Sequence, residues 1–198
     1  MLISGRLPED ASDAERELPR AVAQEVAGLL PGEGFRLVSG FGLIIGSAAI
    51  SGLLGALNKT EQPSLRLDRH MLLRPFPQPA PGEAPDPGVW KAWRQEMVSR
   101  AGATVIIAGA KREADGTLSV GDGVMEEFRM TLDTGRVPIP IGATGHAAAR
   151  AWTAMQTELA RWPWYPKDAF RTLNDASVQP PALAKAVQDI LRASRKSA

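Results

Sequence analysis

Three charged side chains far apart in the chain, Arg94, Lys111 and Glu127, are of the types that bind a phosphorylated ligand. Arginine offers a planar fork for bidentate contact with phosphate, and lysine meets phosphate as a mobile point charge. A glutamate near a helix start can hold ribose hydroxyls or act as a general base. Each residue also has an ordinary structural explanation. Arg94 can be a helix-surface arginine that is solvated or paired with a carboxylate on another element, Lys111 a solvated lysine opening a loop, and Glu127 a first-turn glutamate stabilised by the helix dipole. The residue types alone leave both interpretations open.

A glycine-rich turn strengthens the phosphate interpretation. It separates an apolar strand pattern at 35–39 from a helix rich in small residues at 44–57. The turn is formed by Ser39, Gly40, Gly42 and Gly46. Such residues let backbone N–H groups approach a phosphate, with the positive end of the helix dipole behind them. Glycines also serve close packing of a strand on a helix, so it is the combination with the charged side chains that indicates a nucleotide-shaped ligand.

Arg74 and Gly109 follow two further strand patterns. Arg74 either binds an anion or ties down the loop that it begins, and the sequence favours neither. Gly109 directly follows a buried strand and is separated from Lys111 by one alanine. His146, near a helix start, is interpreted as a capping or packing residue rather than a catalytic one.

The composition is that of an ordinary globular chain of 198 residues, 44% of them hydrophobic and 23% charged. With 23 Lys and Arg against 22 Asp and Glu, the chain has no basic footprint for nucleic acid. The absence of cysteine excludes disulfides, thiolate metal sites and cysteine nucleophiles. Two histidines are too few for a histidine-based metal cluster. We therefore expect no metal and no cofactor.

The uncharged segment 37–57 is long enough to cross a bilayer, and Gly42 and Gly46 form a Gly-x-x-x-Gly pair. Its five glycines, three serines and internal turn favour instead a strand, a turn and a buried helix. No signal-peptide pattern precedes the first strand, so we expect a cytoplasmic protein without membrane contact.

Strand and helix patterns alternate along the chain. Strands are expected at 2–4, 35–39, 69–74, 104–108 and 137–141. Helices are expected at 14–30 (despite Pro19), 44–57, 89–100, 122–132, 146–159 and 181–194, with surface loops at 79–87 and 112–118. This alternation predicts a doubly wound α/β fold with a mostly parallel sheet. Ligands in such sheets bind beyond the carboxyl ends of the strands, where the glycine turn, Arg74 and Lys111 fall.

Six motifs occur in the order typical of a known family. They are Val-Ser-Gly-Phe-Gly at 38–42 with Gly46, Leu-Arg-Pro-Phe-Pro-Gln at 73–78, Trp-x-x-Trp-Arg at 90–94, Gly-Ala-Lys at 109–111, Gly-Val-x-x-Glu-Phe at 123–128 and Pro-Ile-Gly-Ala-Thr-Gly at 140–145. Residues 2–166 resemble the SLOG domain of the ThsA family, the effectors of Thoeris antiphage defence. The resemblance implies a Rossmann-like SLOG fold.

The resemblance also implies a sensor with no catalytic residues. In that family a TIR-domain enzyme makes a cyclic ADP-ribose isomer, and its binding rearranges a homo-oligomer and activates a fused, NAD-consuming sirtuin-like domain. Carried over, Arg94 and Lys111 would contact the pyrophosphate and Glu127 the ribose hydroxyls, while the glycine turn lines the pocket. Residues 1–166 are expected to form the sensing domain and 167–198 a short C-terminal helical tail. Because the chain begins on the first strand, it is either an excised sensor domain or a stand-alone version.

Two other functions stay open. The first is an enzyme, since SLOG domains resemble the LOG nucleotide phosphoribohydrolases, whose motif is Pro-Gly-Gly-x-Gly-Thr-x-x-Glu. Residues 119–127 keep two glycines and the glutamate of this motif, but Ser119-Val120 and Val124 replace its Pro-Gly and its threonine, which weakens the phosphate cradle. The second is an assembly module with a vestigial pocket, whose tail from Trp162 onward serves as an interface.

Overall fold

The computed structural model describes residues 1–59, 63–80 and 83–197, and the side chains of all of these except 63–66. Its strands are β1 (Leu2–Arg6), β2 (Leu37–Ser39), β3 (Met71–Leu73), β4 (Ala103–Ala108), β5 (Ala110–Arg112), β6 (Leu118–Val120) and β7 (Val137–Ile141). Five of them form a parallel sheet in the order β3-β2-β1-β4-β7, whereas β5 and β6 form a separate antiparallel hairpin. The predicted α/β fold with a parallel sheet is confirmed.

Helices flank the sheet. They are α1 (Asp13–Leu29), α2 (Ile45–Leu57), α3 (Pro63–His70), α4 (Pro87–Ser99), α5 (Asp122–Asp133), α6 (His146–Glu158), α7 (Lys167–Thr172) and α8 (Pro180–Lys196). As predicted, α1 continues through Pro19, and it begins at a capping box in which Ser12 and Glu15 bond to each other's backbone N–H.

Strand β4 shows how the sheet is covered on both sides. All six of its residues are buried, as expected for a central parallel strand. Val105 and Ile107 point into a large apolar cluster with residues of α1, α2 and α8, whereas Ile106 points to the other face, into a cluster with α5 and α6. This alternation follows from the two-residue period of a strand.

The segment 37–57 forms β2, the glycine turn and α2, as predicted. Within the described residues, no helix has both the length and the apolar character needed to span a membrane.

One local prediction is wrong and another is incomplete. The expected strand at 69–74 begins only at Met71, because Arg69 and His70 form the end of α3. Since β3 pairs only with the three residues of β2, a longer strand would have no ladder partner. The expected loop at 112–118 is mostly the turn of the β5–β6 hairpin, with Lys111 opposite Ser119. Three-residue strands of mixed polarity carry no alternating apolar pattern that the sequence could reveal.

The C-terminal segment packs on the sheet domain. Phe170 stacks on Trp152 with ring centres 4.8 Å apart, and the Tyr165 hydroxyl donates a hydrogen bond to the Pro138 carbonyl of β7 (3.0 Å). Apolar side chains of α8 belong to the same cluster as those of α1, and α8 packs along α1. The tail therefore completes the core on that face of the sheet.

Candidate functional site

The carboxyl ends of the parallel strands meet at one edge of the sheet. From β1, the strands β2 and β3 are added on one side, and β4 and β7 on the other. Ligands of doubly wound sheets bind at such a switch point, where the direction of strand addition reverses. The ends of β1 and β4 are hydrogen-bonded at this point. The Gly109 N–H after β4 donates to the Arg6 carbonyl at the end of β1 (3.1 Å).

Backbone strain is concentrated at this edge. Among the described non-glycine residues, three have positive φ: Phe41 (58°) after β2, Ala108 (52°) at the end of β4 and His146 (50°) at the start of α6. Such conformations cost on the order of 1–3 kcal/mol each and cluster at functional sites. The strained backbone positions therefore lie at the same edge of the sheet as the predicted ligand-binding residues.

The glycine turn follows β2 at this edge, and its small residues have steric reasons. Buried Ser39 accepts a hydrogen bond from the Phe41 N–H through its hydroxyl (3.1 Å). A Cβ on Gly46 would lie 3.0 Å from the Phe41 carbonyl carbon, and one on Gly40 would lie 2.9 Å from the Phe76 ring. The turn is thus folded tightly against α2 on one side and against an aromatic ring on the other.

Three helices that begin at this edge have no side-chain cap, although the Ala147 N–H of α6 donates to the Gly109 carbonyl (3.3 Å). Gly42 is exposed, and its carbonyl accepts the Ser47 N–H (3.1 Å) at the start of α2. No side chain caps the N-termini of α2, α5 or α6, in contrast to α1. Uncapped N–H groups at a helix start suit an anion, because they add to the positive end of the helix dipole.

Arg94 reaches from α4 to the first two turns of α5. Its Nη1 donates to Glu126 Oε2 at 2.9 Å, and its Nε lies 3.7 Å from Glu127 Oε1. The guanidinium carbon lies 5.4 Å from the centre of the Phe76 ring, within cation–π range. A Cβ on Gly123 would come within 2.5 Å of a guanidinium nitrogen, so this glycine makes room for the arginine.

Glu127 is the buried acid of the site, with 6% of its surface exposed. Burial raises the pKa of Glu127 to about 7, and the Ser4 hydroxyl and the Arg94 guanidinium oppose this shift only in part. Ser4 is buried on β1, and although it lies near this carboxyl, its hydroxyl makes no hydrogen bond of normal geometry. Glu127 is therefore not a solvated first-turn glutamate, whereas the side chain of its neighbour Glu126 is 30% exposed.

Lys111 lies on the first strand of the hairpin, beside the start of α5. Its Nζ donates to Asp122 Oδ2 at 3.0 Å and lies 3.5 Å from Glu113 Oε1. The hydrogen bond to Asp122 and the two nearby carboxylates raise the pKa of the Lys111 ammonium. Lys111 and Arg94 thus both bind acids of the first two turns of α5, which brings Arg94, Lys111 and Glu127 to one helix end.

The other predicted site residues lie around this helix end in different ways. Arg74, directly after β3, pairs with Glu96 of α4 (3.2 Å), and its carbonyl accepts a hydrogen bond from the Trp93 indole (3.1 Å). These contacts hold α4, and with it Arg94, against the sheet. Gly109 is buried with φ of 84°, and a Cβ there would lie 2.6 Å from the Ala147 Cβ.

Two residues of the site carry little signal of function in the sequence. The sequence predicts that Phe76 belongs to a proline-rich loop, but in the structure its ring contacts both Gly40 and Arg94. Asp122 reads as an ordinary first-turn acid, yet it holds Lys111. The only sequence signal for Asp122 is its place between two glycines, in the stretch that matches the LOG motif.

A shallow cavity of about 170 Å³ lies beside the start of α4 rather than at the carboxyl edge. Its described lining includes Trp90 and Val89 together with the carboxylates Glu83 and Asp86, and no cation. Its described lining therefore offers no positive charge to a phosphate. No group of three or more metal-ligating side chains occurs among the described residues.

Comparison with known proteins gives one family and several relatives. A family model described as "STALD: Sir2- and TIR-associating SLOG family" matches residues 1–194. An NAD(+) hydrolase ThsA of Acinetobacter baumannii (strain 532279) is 29% identical over 171 residues, covering 81% of this chain and 35% of that protein. The ThsA of Bacillus cereus (strain MSX-D12) is 33% identical over 73% of this chain and 30% of its own length. That of Cytobacillus dafuensis is 36% identical over 60% of this chain and 24% of its own length. The chain thus spans about a third or less of these relatives.

Proposed function

The chain belongs to the Sir2- and TIR-associating SLOG family, and on this premise we propose that it is a nucleotide sensor of Thoeris antiphage defence that binds a cyclic ADP-ribose isomer. The single observation that carries the proposal is the convergence of Arg94, Lys111 and buried Glu127 on the first two turns of α5. This helix starts at the edge of the sheet where doubly wound folds bind ligands. The domain itself is proposed to be non-catalytic.

Each group has a role suited to such a ligand. The Arg94 fork and the Lys111 ammonium bind the pyrophosphate, supported by the uncapped N–H groups of α2 and α5. Glu127 accepts hydrogen bonds from ribose hydroxyls. The glycine turn (Ser39, Gly40, Gly42 and Gly46) forms one wall, and its exposed Phe41 offers an aromatic face to a base.

The proposed partners follow from the family description, which names Sir2 and TIR. A TIR-domain protein would supply the signal, and a sirtuin-like domain would be the effector that the sensor controls. NAD(+) hydrolysis is proposed as the effector's activity because the relatives are named NAD(+) hydrolases. We propose that the sensor works as a homo-oligomer that rearranges on binding. Light scattering with and without the cyclic nucleotide tests this step, and an unchanged mass and shape would contradict it.

The raised pKa of Glu127 favours a second candidate, hydrolysis of a nucleoside monophosphate by a LOG-like mechanism. A carboxyl group with a pKa of about 7 is suited to general acid–base catalysis at neutral pH. Against this stands the segment that replaces the Pro-Gly of the LOG motif, since Ser119 and Val120 belong to β6 rather than to a phosphate-binding loop. Chromatographic detection of a free base from AMP would favour the enzyme.

The experiment that tests the sensor proposal is calorimetric titration of the purified chain with cyclic ADP-ribose isomers, with ADP-ribose, NAD and AMP as controls. We expect one-to-one binding of one cyclic isomer, which is recovered unchanged. Binding of none of the cyclic isomers, or their consumption, would contradict the proposal.

A further inference from the structure

We propose that Asp122 and Glu126 are internal counter-ions that occupy Lys111 and Arg94 in the free domain, and that an anionic ligand must displace them. These two carboxylates would then set the affinity of the site and its selectivity for ligands with two phosphate groups. The inference rests on the proposed function only in taking the ligand to be an anion.

The first observation is that both cations are already paired. Arg94 donates to Glu126 at 2.9 Å, and Lys111 donates to Asp122 at 3.0 Å. These are normal lengths for charge-assisted hydrogen bonds. Neither cation therefore presents a free charge to an incoming phosphate.

The second observation is the local charge. Arg94 lies within 4 Å of Glu126 and Glu127, and Lys111 lies within 4 Å of Glu113 and Asp122. Even with Glu127 partly protonated near neutral pH, these carboxylates carry more negative charge than the two cations carry positive charge. Arg129 and Arg150 act on Asp122 only at longer range. A pyrophosphate entering this arrangement would meet an excess of negative charge, and like charges at contact distance repel. At least some of the carboxylates must move away before the ligand can bind.

The third observation is that the carboxylates differ in their freedom to move. The side chain of Asp122 is 88% exposed and that of Glu126 is 30% exposed, so both can turn into water. The side chain of Glu127 is 8% exposed and has no such path. The Lys111–Asp122 pair is exposed and contributes little net stability, so breaking it costs little. Arg94 is only 14% exposed, so releasing Glu126 costs more. Glu127 stays in place and is free for a different role.

This arrangement discriminates between ligands by charge. A ligand with one phosphate can replace only one of the two counter-ions, whereas a pyrophosphate can bind Arg94 and Lys111 together and release both. A neutral nucleoside forms no ion pair with either cation, so neither cation raises its affinity. Asp122 and Glu126 thereby act as competitors that weakly charged nucleotides fail to displace.

The test is titration of the full chain with inorganic pyrophosphate in magnesium-free buffer, comparing the parent with Asp122→Asn, Glu126→Gln and the double variant. Asp133→Asn is the matched control, because it removes an exposed acid from the far end of the same helix. Since an exposed pair is worth up to about 1 kcal/mol, Asp122→Asn should bind pyrophosphate about two- to fivefold more tightly. Glu126→Gln, which releases a more buried arginine, should tighten binding at least as much. The control should bind like the parent.

Unchanged or weaker pyrophosphate binding by the double variant would overturn the inference, as would the absence of pyrophosphate binding in every variant. Titration of the same proteins with cyclic ADP-ribose isomers separates this from the proposed function. If the variants tighten for pyrophosphate but no cyclic isomer binds, the counter-ion inference stands and the sensor proposal fails. If a cyclic isomer binds but the variants bind pyrophosphate no more tightly than the parent, the sensor proposal stands and the counter-ion inference fails.

Discussion

Arg94 connects the elements of the candidate site more than any other side chain described here. Its guanidinium lies between a partly exposed and a buried glutamate, and its carbon is 5.4 Å from the centre of the Phe76 ring. Both contacts hold the guanidinium, which is planar by resonance, oriented toward the start of α5. A ligand phosphate can take the place of Glu126 without moving the arginine, which is a form of preorganisation.

Removing the Arg94 fork should weaken nucleotide binding. We expect Arg94→Ala to lower the affinity for the cyclic isomer by about 1.5–3 kcal/mol, the range for a charge-assisted hydrogen bond. Arg20→Ala, on the exposed face of α1, serves as the control and should bind like the parent. The measurement is calorimetry on both folded variants, and equal affinities would place the ligand elsewhere.

Glu127 should make stability depend on pH. Its pKa is raised by burial from 4.5 to about 7, so between these values the folded protein holds a proton that the unfolded chain has released. The stability of the parent should therefore fall as the pH rises from about 4.5 to 7, and Glu127→Gln should remove this loss. By linkage we expect the variant to gain on the order of 2 kcal/mol relative to the parent between pH 4.5 and 8.

Urea denaturation at pH 4.5 and pH 8 measures this difference. Glu126→Gln is the matched control, since its partly exposed side chain carries no comparable burial cost. A pH-independent difference between Glu127→Gln and the parent would show that the carboxyl is not buried as described.

The start of α5 is the element on which the site depends. It follows the β5–β6 hairpin, whose Lys111 contacts its first residue, and it faces α4, which carries Arg94. Gly123 lies where these elements meet. Because it has no side chain, the guanidinium can lie directly against the helix backbone.

Gly123→Ala should separate binding from stability. Alanine is the better helix former by about 1 kcal/mol, but its Cβ would lie 2.5 Å from a guanidinium nitrogen and push the flexible end of Arg94 away. We expect unchanged or higher thermal stability together with about a tenfold loss of nucleotide affinity.

Gly55→Ala on α2 is the control for this helix effect, because its added Cβ would have no described atom within 4 Å beyond its chain neighbours and its own helix backbone. It should raise stability and leave binding unchanged. Parent-like affinity of Gly123→Ala would mean that the position of Arg94 does not matter for the ligand.

At the scale of the whole molecule, the main question is whether the C-terminal tail folds together with the sheet domain. The sequence predicts a sensing domain at 1–166 followed by a short helical tail at 167–198. Leu183 and Val187 of α8, within this tail, are fully buried in the same core as residues of α1. The far end of α8 is also held by ion pairs of Arg192 and Arg195 with Glu33. We therefore expect the chain to unfold as a single cooperative unit.

Leu183→Ala tests this unity. A buried leucine replaced by alanine costs about 2–5 kcal/mol when it belongs to the core. Lys185→Ala, which loses only an exposed pair with Asp189 on the same helix, should cost less than about 1 kcal/mol. If both variants unfolded like the parent under denaturant, the tail would be a separate appendage.

The sequence predicted most of the fold because apolar periodicity carries most of the information. The buried run of β4, the strand Val137–Ile141 and the helix through Pro19 all follow from local pattern. The β5–β6 hairpin and the start of β3 did not, since strands of three residues owe their existence to a partner strand rather than to their own composition.

The candidate site was predictable in position but not in detail. Residue types and strand ends point to Arg94, Lys111 and Glu127, but no sequence pattern reveals that acids of α5 hold both cations. Nor does it reveal the burial of Glu127, because adjacent glutamates look alike in sequence while their helix positions differ by about 100°.

The most direct test of the central claim is amide hydrogen exchange of the full chain with and without a cyclic ADP-ribose isomer at saturating concentration. We expect slower exchange at 39–46, 108–111 and 121–128, the segments that form the carboxyl edge, and little change in α8. No protection at these segments, or protection only around the cavity beside the start of α4, would contradict a nucleotide site at the switch point of the sheet.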